Sequence, residues 1–272
     1  MSTHAERRRD ALDVLRTLTG SDVPEREVDA IEQRHGALGT FAMDHVLGNL
    51  WARPHLSRRD RSLVVVTALS ATPGTKRELA THTEAGLNHG LRRPEILELV
   101  LQVAAYAGFP VAFQATRVVE RTFARLDRSS APAARTGAPP IDDADRWVAA
   151  ARTLAGMTGG QLPIDPLQAR SAMIDEQGGV GEVTFDFVLG ELWARTALNR
   201  RDRSMATVTV LAMLREHDEL AEHIKAARHH GCTRSELEEV MVQLTAYGGL
   251  ARATGGMRVA RRVWTELDAA DG

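Results

Sequence analysis

The chain has 272 residues, 43% of them hydrophobic and 26% charged, with a formal net charge of −2. This is the composition of a globular protein with room for one large or two ordinary domains, and the charge gives no general attraction to nucleic acid or anionic membrane. The single cysteine, Cys232, excludes a disulfide framework and a two-cysteine redox motif, and it favours a reducing compartment.

The first twenty residues contain Arg7, Arg8 and Arg9, but no apolar run follows them, so no secretory signal is expected. The longest apolar run, Leu63 to Leu69, is far shorter than the roughly 20 residues that cross a bilayer. We therefore expect a cytoplasmic protein without a membrane partner.

Helical signals begin at residues 5–19, which have an amphipathic pattern, and Pro24 is placed to open the next helix. Ser57 followed by Asp60 predicts the start of a helix that runs through Ala71. The β-branched residues of this segment also suit a strand, but its length and its cap favour a helix buried on most sides. Further signals are a helix end at Gly90 and a helix start at Pro94.

Two long segments of the chain repeat. Asp44–Leu63 and Asp186–Met205 are identical at 14 of 20 positions, and Glu78–Gly108 and Glu219–Gly249 at 14 of 31. Such similarity indicates an internal duplication. The helical signals recur as well, in an amphipathic segment at 145–155, caps at Asn199 and Thr233, and a helix end at Gly231.

We therefore predict an all-α protein of two tandem helical bundles, each with about six or seven helices and no sheet. The boundaries are a first copy at 1–128, a linker at 129–140 and a second copy at 141–272. The linker sequence, SSAPAARTGAPP, lacks large apolar residues and is typical of a semi-stiff spacer.

Four motifs carry a family resemblance. They are W-A-R-P-x-L-x-x-R-x-R-S at Trp51–Ser62, E-L-x-x-H at Glu78–His82, L-N-H-G at Leu87–Gly90 and Q-x-A-x-Y-A-G at Gln102–Gly108. Over residues 38–126, and more loosely over 180–267, the chain resembles the carboxymuconolactone decarboxylase family. The resemblance implies an alkylhydroperoxidase-D-like bundle that assembles as trimers or hexamers. It also implies cofactor-free decarboxylation of a γ-lactone carboxylate.

The wider alkylhydroperoxidase-D-like superfamily contains peroxidases with a C-x-x-C motif before the motif histidine. Here the corresponding positions are Thr75 and Glu78 in the first copy, and Glu216 and Glu219 in the second. Without thiols at these positions, the disulfide-dependent peroxidase reaction is not expected.

His82 with Glu78, and His223 with Glu219, are the candidate catalytic pairs. The four-residue spacing places each carboxylate and imidazole on one helical face, where the carboxylate could orient and charge the ring. The alternative is a surface or packing pair. His89 lies two turns beyond His82, about 10 Å away, and no H-x-x-x-H occurs, so no metal site is expected.

Several arginines lie where a helix is predicted to begin, and cations there oppose the helix dipole. An anionic substrate would remove that conflict, but so would structural ion pairs with Asp60 or with a carboxylate of another subunit. Trp51 with Arg53, and their repeats Trp193 with Arg195, could border the pocket or could pack and cap a helix end. The candidate substrate-binding residues are Arg53, Arg58, Arg61, Trp51, Arg195, Arg200, Arg203 and Tyr106.

The second copy departs from the family pattern at Thr196, His229 and Gly248, so the first copy is expected to carry most of the activity. The predicted function is decarboxylation of a small carboxylated lactone or enone, with His82 as proton donor and arginines as anchors. The alternatives are a lactone-opening or enolising enzyme that tailors an aromatic or polyketide metabolite, and a non-catalytic protein that binds a small acid. The expected partners are this carboxylic acid or lactone and further copies of the chain, most simply in a homotrimer, with no nucleic acid and no cofactor.

Overall fold

A computed structural model describes residues 2–127, 141–160 and 165–271. Throughout these residues the regular structure is helical and no strand occurs, which confirms the predicted fold class. The proposed linker at 129–140 lies outside the described residues.

The two copies contain corresponding sets of helices. In the first copy these are α1 (His4–Thr19), α2 (Pro24–His35), α3 (Ala37–Phe41), a π-helical segment π1 (Ala42–Leu50), α4 (Arg58–Ser70), α5 (Lys76–Asn88), α6 (Arg93–Ala107) and α7 (Phe109–Asp127). In the second copy they are α8 (Asp143–Met157), α9 (Pro166–Gln177), α10 (Gly179–Val183), π2 (Thr184–Leu192), α11 (Arg200–Leu214), α12 (His217–His229), α13 (Arg234–Tyr247) and α14 (Leu250–Asp271).

The caps expected from the sequence fix several helix ends. The Ser57 hydroxyl accepts the Asp60 backbone N–H at 3.1 Å, and Thr233 forms a reciprocal capping box with Glu236. Pro24 is the first residue of α2. Gly90 follows the end of α5 with a φ of 94°, a left-handed conformation that favours glycine.

The π-helical segments were not predicted, and they set the course of the chain into the candidate site. Segment π1 ends at Trp51, whose backbone N–H donates to the Val46 carbonyl at 2.9 Å, five residues back. Helix α1 crosses π1 so closely that a Cβ on Gly48 would lie 2.1 Å from the Arg7 carbonyl oxygen. Only glycine fits this crossing, and Gly190 repeats it in the second copy, where a Cβ would lie 2.7 Å from the Arg146 carbonyl oxygen.

The largest hydrophobic cluster contains residues of both copies. Helices α4 and α11 pack against each other and against α13 and α6 of the opposite copy. Residues Leu63–Val66 of α4 and Met205, Ala206 and Val208 of α11 are fully buried in the same cluster. This burial is the main source of stability, at about 1.5–3 kcal/mol for each large apolar side chain. The contacts of α4 with α13 and of α11 with α6 place residues of each copy in the candidate site of the other.

Among the described residues, no helix is long and apolar enough to cross a membrane.

Candidate active site

The motif residues assemble into two sites, and each site draws residues from both copies. The first site consists of Trp51, His82 and His89 from the first copy with Tyr247 from the second. The second site consists of Trp193, His223 and His230 with Tyr106 from the first copy. Helix α6 thus delivers Tyr106, a candidate substrate-binding residue, to the histidine of the opposite copy and not to His82 of its own.

Aromatic packing encloses His82 in the first site. The indole of Trp51 stacks on the imidazole, with ring centroids 6.0 Å apart and an interplanar angle of 14°. The Tyr247 ring meets the imidazole edge-on, at 5.1 Å and 86°. The Trp51 Nε1–H donates to the Tyr247 hydroxyl oxygen at 2.9 Å, so the phenol proton is directed away from the indole.

The second site repeats this geometry closely. The Trp193 and His223 rings are 6.1 Å apart at 17°, and the Tyr106 ring stands edge-on to His223 at 5.3 Å and 88°. The Trp193 Nε1–H donates to the Tyr106 hydroxyl at 3.1 Å, and that hydroxyl lies 3.4 Å from His223 Nε2. The duplicated motifs therefore produce two copies of one arrangement.

Two buried arginines hold helices α13 and α6 in place against the opposite copy. Arg61, with no exposed surface, donates to Gln243 at 2.6 Å and to Glu239 at 2.8 Å, one and two turns before Tyr247 on α13. A further bond, to the Arg53 carbonyl at 2.7 Å, fixes the chain just after Trp51. Arg61 therefore ties the tryptophan of one copy to the tyrosine of the other.

Arg203 performs the same task in the second site, through Glu98 at 2.9 Å, Gln102 at 3.1 Å and the Arg195 carbonyl at 3.0 Å. Arg61 and Arg203 were candidate substrate anchors. Both guanidinium groups are buried in structural ion pairs, but the partners, Glu239 and Glu98, are neither Asp60 nor residues of another subunit: each belongs to the opposite copy of the same chain.

A second pair of arginines, not among the candidates, links the copies near the helix starts. Arg59 lies between Glu95 and Asp202, at 2.8 and 2.7 Å. Arg201 correspondingly binds Asp60 at 3.1 Å and Glu236 at 2.6 Å. These carboxylates offset the cations in the first helical turns.

The imidazoles of both sites are neutral at pH 7. Burial, with a smaller contribution from nearby His89, lowers the pKa of His82 to about 4. Burial, followed by the neighbouring His230, lowers the pKa of His223 to about 4 in the same way. Burial also raises the pKa of Tyr247 well above its usual range and that of Tyr106 to about 12. Each site therefore presents uncharged donors that aromatic rings shield in part from the solvent.

The predicted pairing of each histidine with a carboxylate differs from what the structure shows. Glu78 and Glu219 are exposed, and the Nδ1 atoms of His82 and His223 are buried with no hydrogen-bond partner among the described residues. We expected Glu78 to stabilise the charged form of the imidazole. Instead, burial lowers the pKa of His82 and keeps the ring neutral, because the exposed carboxylate does not offset the effect of burial.

Arg53 borders a cavity of mixed polar and apolar lining, next to the chain segments that carry Trp51 and Tyr247. Its Nε–H donates to both oxygens of Glu239, at 2.8 and 3.0 Å, which holds the side chain in place. Its terminal nitrogens make no hydrogen bond to any residue that the structure describes. The cavity has a volume of about 290 Å³, and His45 and Asn49 also line it. This guanidinium is therefore both fixed and available to an anion.

The corresponding region of the second site is aromatic. Phe187, which occupies the position of His45, packs against Phe109 of the first copy with ring centroids 5.9 Å apart. The cavity beside Arg195 has about 150 Å³ and is lined by Phe109 and Phe113. Arg195 binds Glu98 through Nε and Nη2, both at 2.7 Å.

His223 also lines a separate, open cavity of about 780 Å³ between α8, α12 and α14, together with Lys225 and His229. The remaining candidate arginines lie at the starts of α4 and α11. Arg58 is paired with Asp13, and Arg200 lies beside His230.

Two further points concern the single cysteine and the search for a metal site. Cys232 is buried, and burial raises the pKa of its thiol to about 12, as suits a small apolar filler. No group of three or more metal-ligating side chains is found within residues 2–127, 141–160 and 165–271.

Comparison with known proteins identifies the family. The carboxymuconolactone decarboxylase family matches residues 37–121 and 179–262, and these two regions contain every member of both sites. The chain is 37% identical over 81 residues to a 4-carboxymuconolactone decarboxylase of Acinetobacter baylyi, a match that covers 30% of this chain and 60% of that protein. It is 39% identical over 75 residues to the nitrosuccinic acid decarboxylase npaB of Metarhizium robertsii, over 28% of this chain and 52% of that one. The chain thus spans little more than half the length of these relatives. Because the family match extends over more than half of the sequence and occurs twice, the chain belongs to the carboxymuconolactone decarboxylase family, with two copies of its domain in tandem.

Proposed function

We propose that the protein decarboxylates a small carboxylic acid whose carboxylate lies next to an electron-accepting group, such as a conjugated lactone. The single observation that carries the proposal is the neutral, aromatic enclosure of His82 between Trp51 and Tyr247. The family membership and the two decarboxylases among the relatives support the same reaction class.

A neutral site that is partly shielded from the solvent favours this reaction for an electrostatic reason. The carbon–carboxylate bond breaks, its electron pair moves into the conjugated carbonyl to form an enolate, and carbon dioxide leaves. The negative charge is compact in the substrate and spread over several atoms in the transition state. Fixed donors that face the developing enolate oxygen stabilise that transition state more than the ground state.

Two groups in the first site are suited to this donor role. The Tyr247 oxygen already accepts the Trp51 indole N–H, so its own proton is available to the enolate oxygen. The neutral imidazole of His82 retains one N–H, and its Nδ1 has no partner among the described residues. In this proposal His82 donates a hydrogen bond as the neutral ring. After carbon dioxide has left, the ring passes this proton to carbon and recovers one from water, with hydroxide released to the solvent.

Arg53 is the proposed anchor for a remote carboxylate of the substrate. Glu239 fixes it through Nε, and its side chain lines the cavity with His45 and Asn49. Both terminal nitrogens of Arg58, Arg61 and Arg203 are bonded to protein acceptors. Arg53 uses only its Nε for Glu239, so it is the proposed anchor.

The test is a direct assay of carbon dioxide release. The purified protein is incubated with 4-carboxymuconolactone and, separately, with nitrosuccinate, and we expect turnover of at least one of them. Tyr247→Phe should lower kcat about 10²-fold, the order of effect of one lost oxyanion donor. Tyr106→Phe is the matched control, because it removes the same hydroxyl from the second site.

Ring opening without carbon dioxide would replace decarboxylation by a lactone-opening reaction. Ligand-induced thermal stabilisation with no product from either acid would instead indicate a binding protein.

A further inference from the structure

In their C-terminal halves, helices α1 and α8 differ at two corresponding positions. In each copy, these positions face an equivalent pair of side chains, an arginine and a histidine. The helices align when Arg7 is matched to Arg146, since their backbones cross Gly48 and Gly190 in the same way. This alignment also matches Ala11 with Ala150, both fully buried. Asp13 of the first copy then corresponds to Arg152 of the second, and Thr17 corresponds to Gly156.

In the first copy one side-chain oxygen satisfies two donors. The Thr17 hydroxyl donates to the Val14 carbonyl at 2.9 Å, so its oxygen accepts from its other neighbours. We therefore assign the His89 proton to Nε2 and the acceptor role to Nδ1, which lies 2.7 Å from the Ser62 hydroxyl. His89 Nε2 then lies 3.1 Å from Thr17 Oγ1, and Arg58 Nη1 donates to the same oxygen at 2.7 Å. The Asp13 carboxylate neutralises Arg58.

The second copy keeps both donors but has neither partner. Ser204 lies 2.7 Å from His230 Nδ1, the same contact that Ser62 makes with His89, and we assign the same tautomer, with the proton on Nε2. Gly156 has no side-chain oxygen to offer, and Arg152 brings a positive charge where the first copy has a negative one. Arg200 Nη1 and His230 Nε2 are both buried with no hydrogen-bond partner in the part of the chain that the structure describes.

These two donors face one point. A Cβ on Gly156 would lie 2.6 Å from Arg200 Nη1 and 3.5 Å from His230 Nε2. Burying two unpaired donors, one of them charged, is strongly unfavourable unless an acceptor is supplied. An anion would satisfy both donors and neutralise Arg200, and an oxyanion would also repeat the oxygen contact that Thr17 makes in the first copy.

We propose that the second copy contains a binding site for a small trigonal oxyanion, a carboxylate or bicarbonate, at Arg200 Nη1 and His230 Nε2. One oxygen of the anion takes the place that Thr17 Oγ1 has in the first copy, and its charge replaces that of Asp13. The site is separate from the decarboxylation site proposed above and does not depend on it. It lies against Trp193, whose ring is 5.7 Å from that of His230.

The experiment measures anion binding to the full chain at pH 7.5 and constant ionic strength. Sodium acetate and sodium bicarbonate are titrated against sodium chloride, and binding is followed by tryptophan fluorescence and by the melting temperature. Ligands that bind only the folded state raise the melting temperature with concentration. We expect acetate, bicarbonate or both to stabilise the protein more than chloride does, and the two salts distinguish a carboxylate from bicarbonate.

The decisive variant rebuilds the first copy's partners in the second. Arg152→Asp with Gly156→Thr supplies the missing carboxylate and hydroxyl, and only the flexible end of Arg200 has to move. This protein should melt higher than the wild type without added anion and should bind acetate or bicarbonate at least about tenfold more weakly. Arg200→Met, which removes the donor without adding a side chain at 156, should also lose the response. In the first copy, Arg58→Met should leave the response unchanged.

Equal responses of the wild type and the rebuilt variant would overturn the proposal. So would an equal response to chloride at the same ionic strength, which would show a general salt effect.

Discussion

The two sites keep the same buried geometry and differ at their edges. The Trp–His centroid distances are 6.0 and 6.1 Å, and the Ser–His contacts behind them are both 2.7 Å. At the edge, the first site has His45 beside a cavity that Asn49 and Arg53 also line, whereas the second has Phe187 packed on Phe109. Side chains packed against one another in the two sites have changed little since the duplication, because any change there disturbs close packing. Residues at the edge can be substituted without this cost, and such substitutions alter which molecule can enter.

The largest expected effect tests which site works. His82→Ala should lower kcat by about 10²–10⁴-fold, the usual contribution of a positioned acid or base, whereas His223→Ala should cost much less. The physical reason is that the cavity with a partly free Arg53 lies beside the first site. Carbon dioxide release measures the rates, and circular dichroism checks that both variants fold.

A larger loss from His223→Ala would show that the second site, with its open cavity, carries the activity. Equal losses would mean that both sites work.

The next comparison concerns the two buried arginines. Arg61→Met should lower the free energy of unfolding by about 3–5 kcal/mol, because it leaves Glu239 buried with only half-exposed Arg53 beside it. Arg203→Met should cost a similar amount through Glu98. Urea titration measures both. The double variant Arg61→Met with Glu239→Leu should recover most of the loss, and no recovery would show that the arginine acts mainly by packing.

Acid should destabilise both sites together. The pKa values of His82, His89, His223 and His230 are lowered to about 4, first of all by burial, from an ordinary value of 6.5. A histidine with a lowered pKa stabilises the fold above pH 6.5 and loses that contribution as the pH falls towards 4. Each can contribute a loss of up to about 1.4 kcal/mol per pH unit in this window. The urea concentration at the midpoint of unfolding should fall as the pH is lowered from 7.5 to 4.5. It should fall less steeply in the His82→Gln variant.

The smallest effect compares Gly86 with its counterpart Ala227. A Cβ on Gly86 would lie 3.1 Å from the end of the Leu91 side chain, which can move. Gly86→Ala should therefore raise the free energy of unfolding by up to about 1 kcal/mol, the usual advantage of alanine within a helix. A loss of stability in urea titration would show that Leu91 has no room to adjust.

The helices could be predicted from the sequence because local signals determine them. Ser57, Pro24 and Gly90 act within one helical turn, and the structure places them at helix ends as expected. The π-helical segments could not be predicted, since their distinguishing feature is the close crossing of α1 over Gly48, a contact between distant parts of the chain.

The residue types of the site were largely predictable, but their partners were not. Tyr106 and Tyr247 occupy the same place in each repeat, so the sequence cannot tell which histidine each one meets. One signal was available: Glu98, Gln102 and Tyr106 are spaced four residues apart and form one polar face on a helix rich in apolar residues. Such a face indicates a buried polar partner, which the structure shows to be Arg203 and the second site.

The exchange of tyrosines between copies has a consequence for how this protein can evolve. In a symmetric pair of identical chains, every mutation alters both sites at once. Fusion into one chain lifts that restriction, because position 45 can differ from position 187 while each half still completes the other. The same exchange divides the genetic information for each site between the two halves of the gene. Neither half could therefore be lost or replaced by recombination without changing the site that the other half carries.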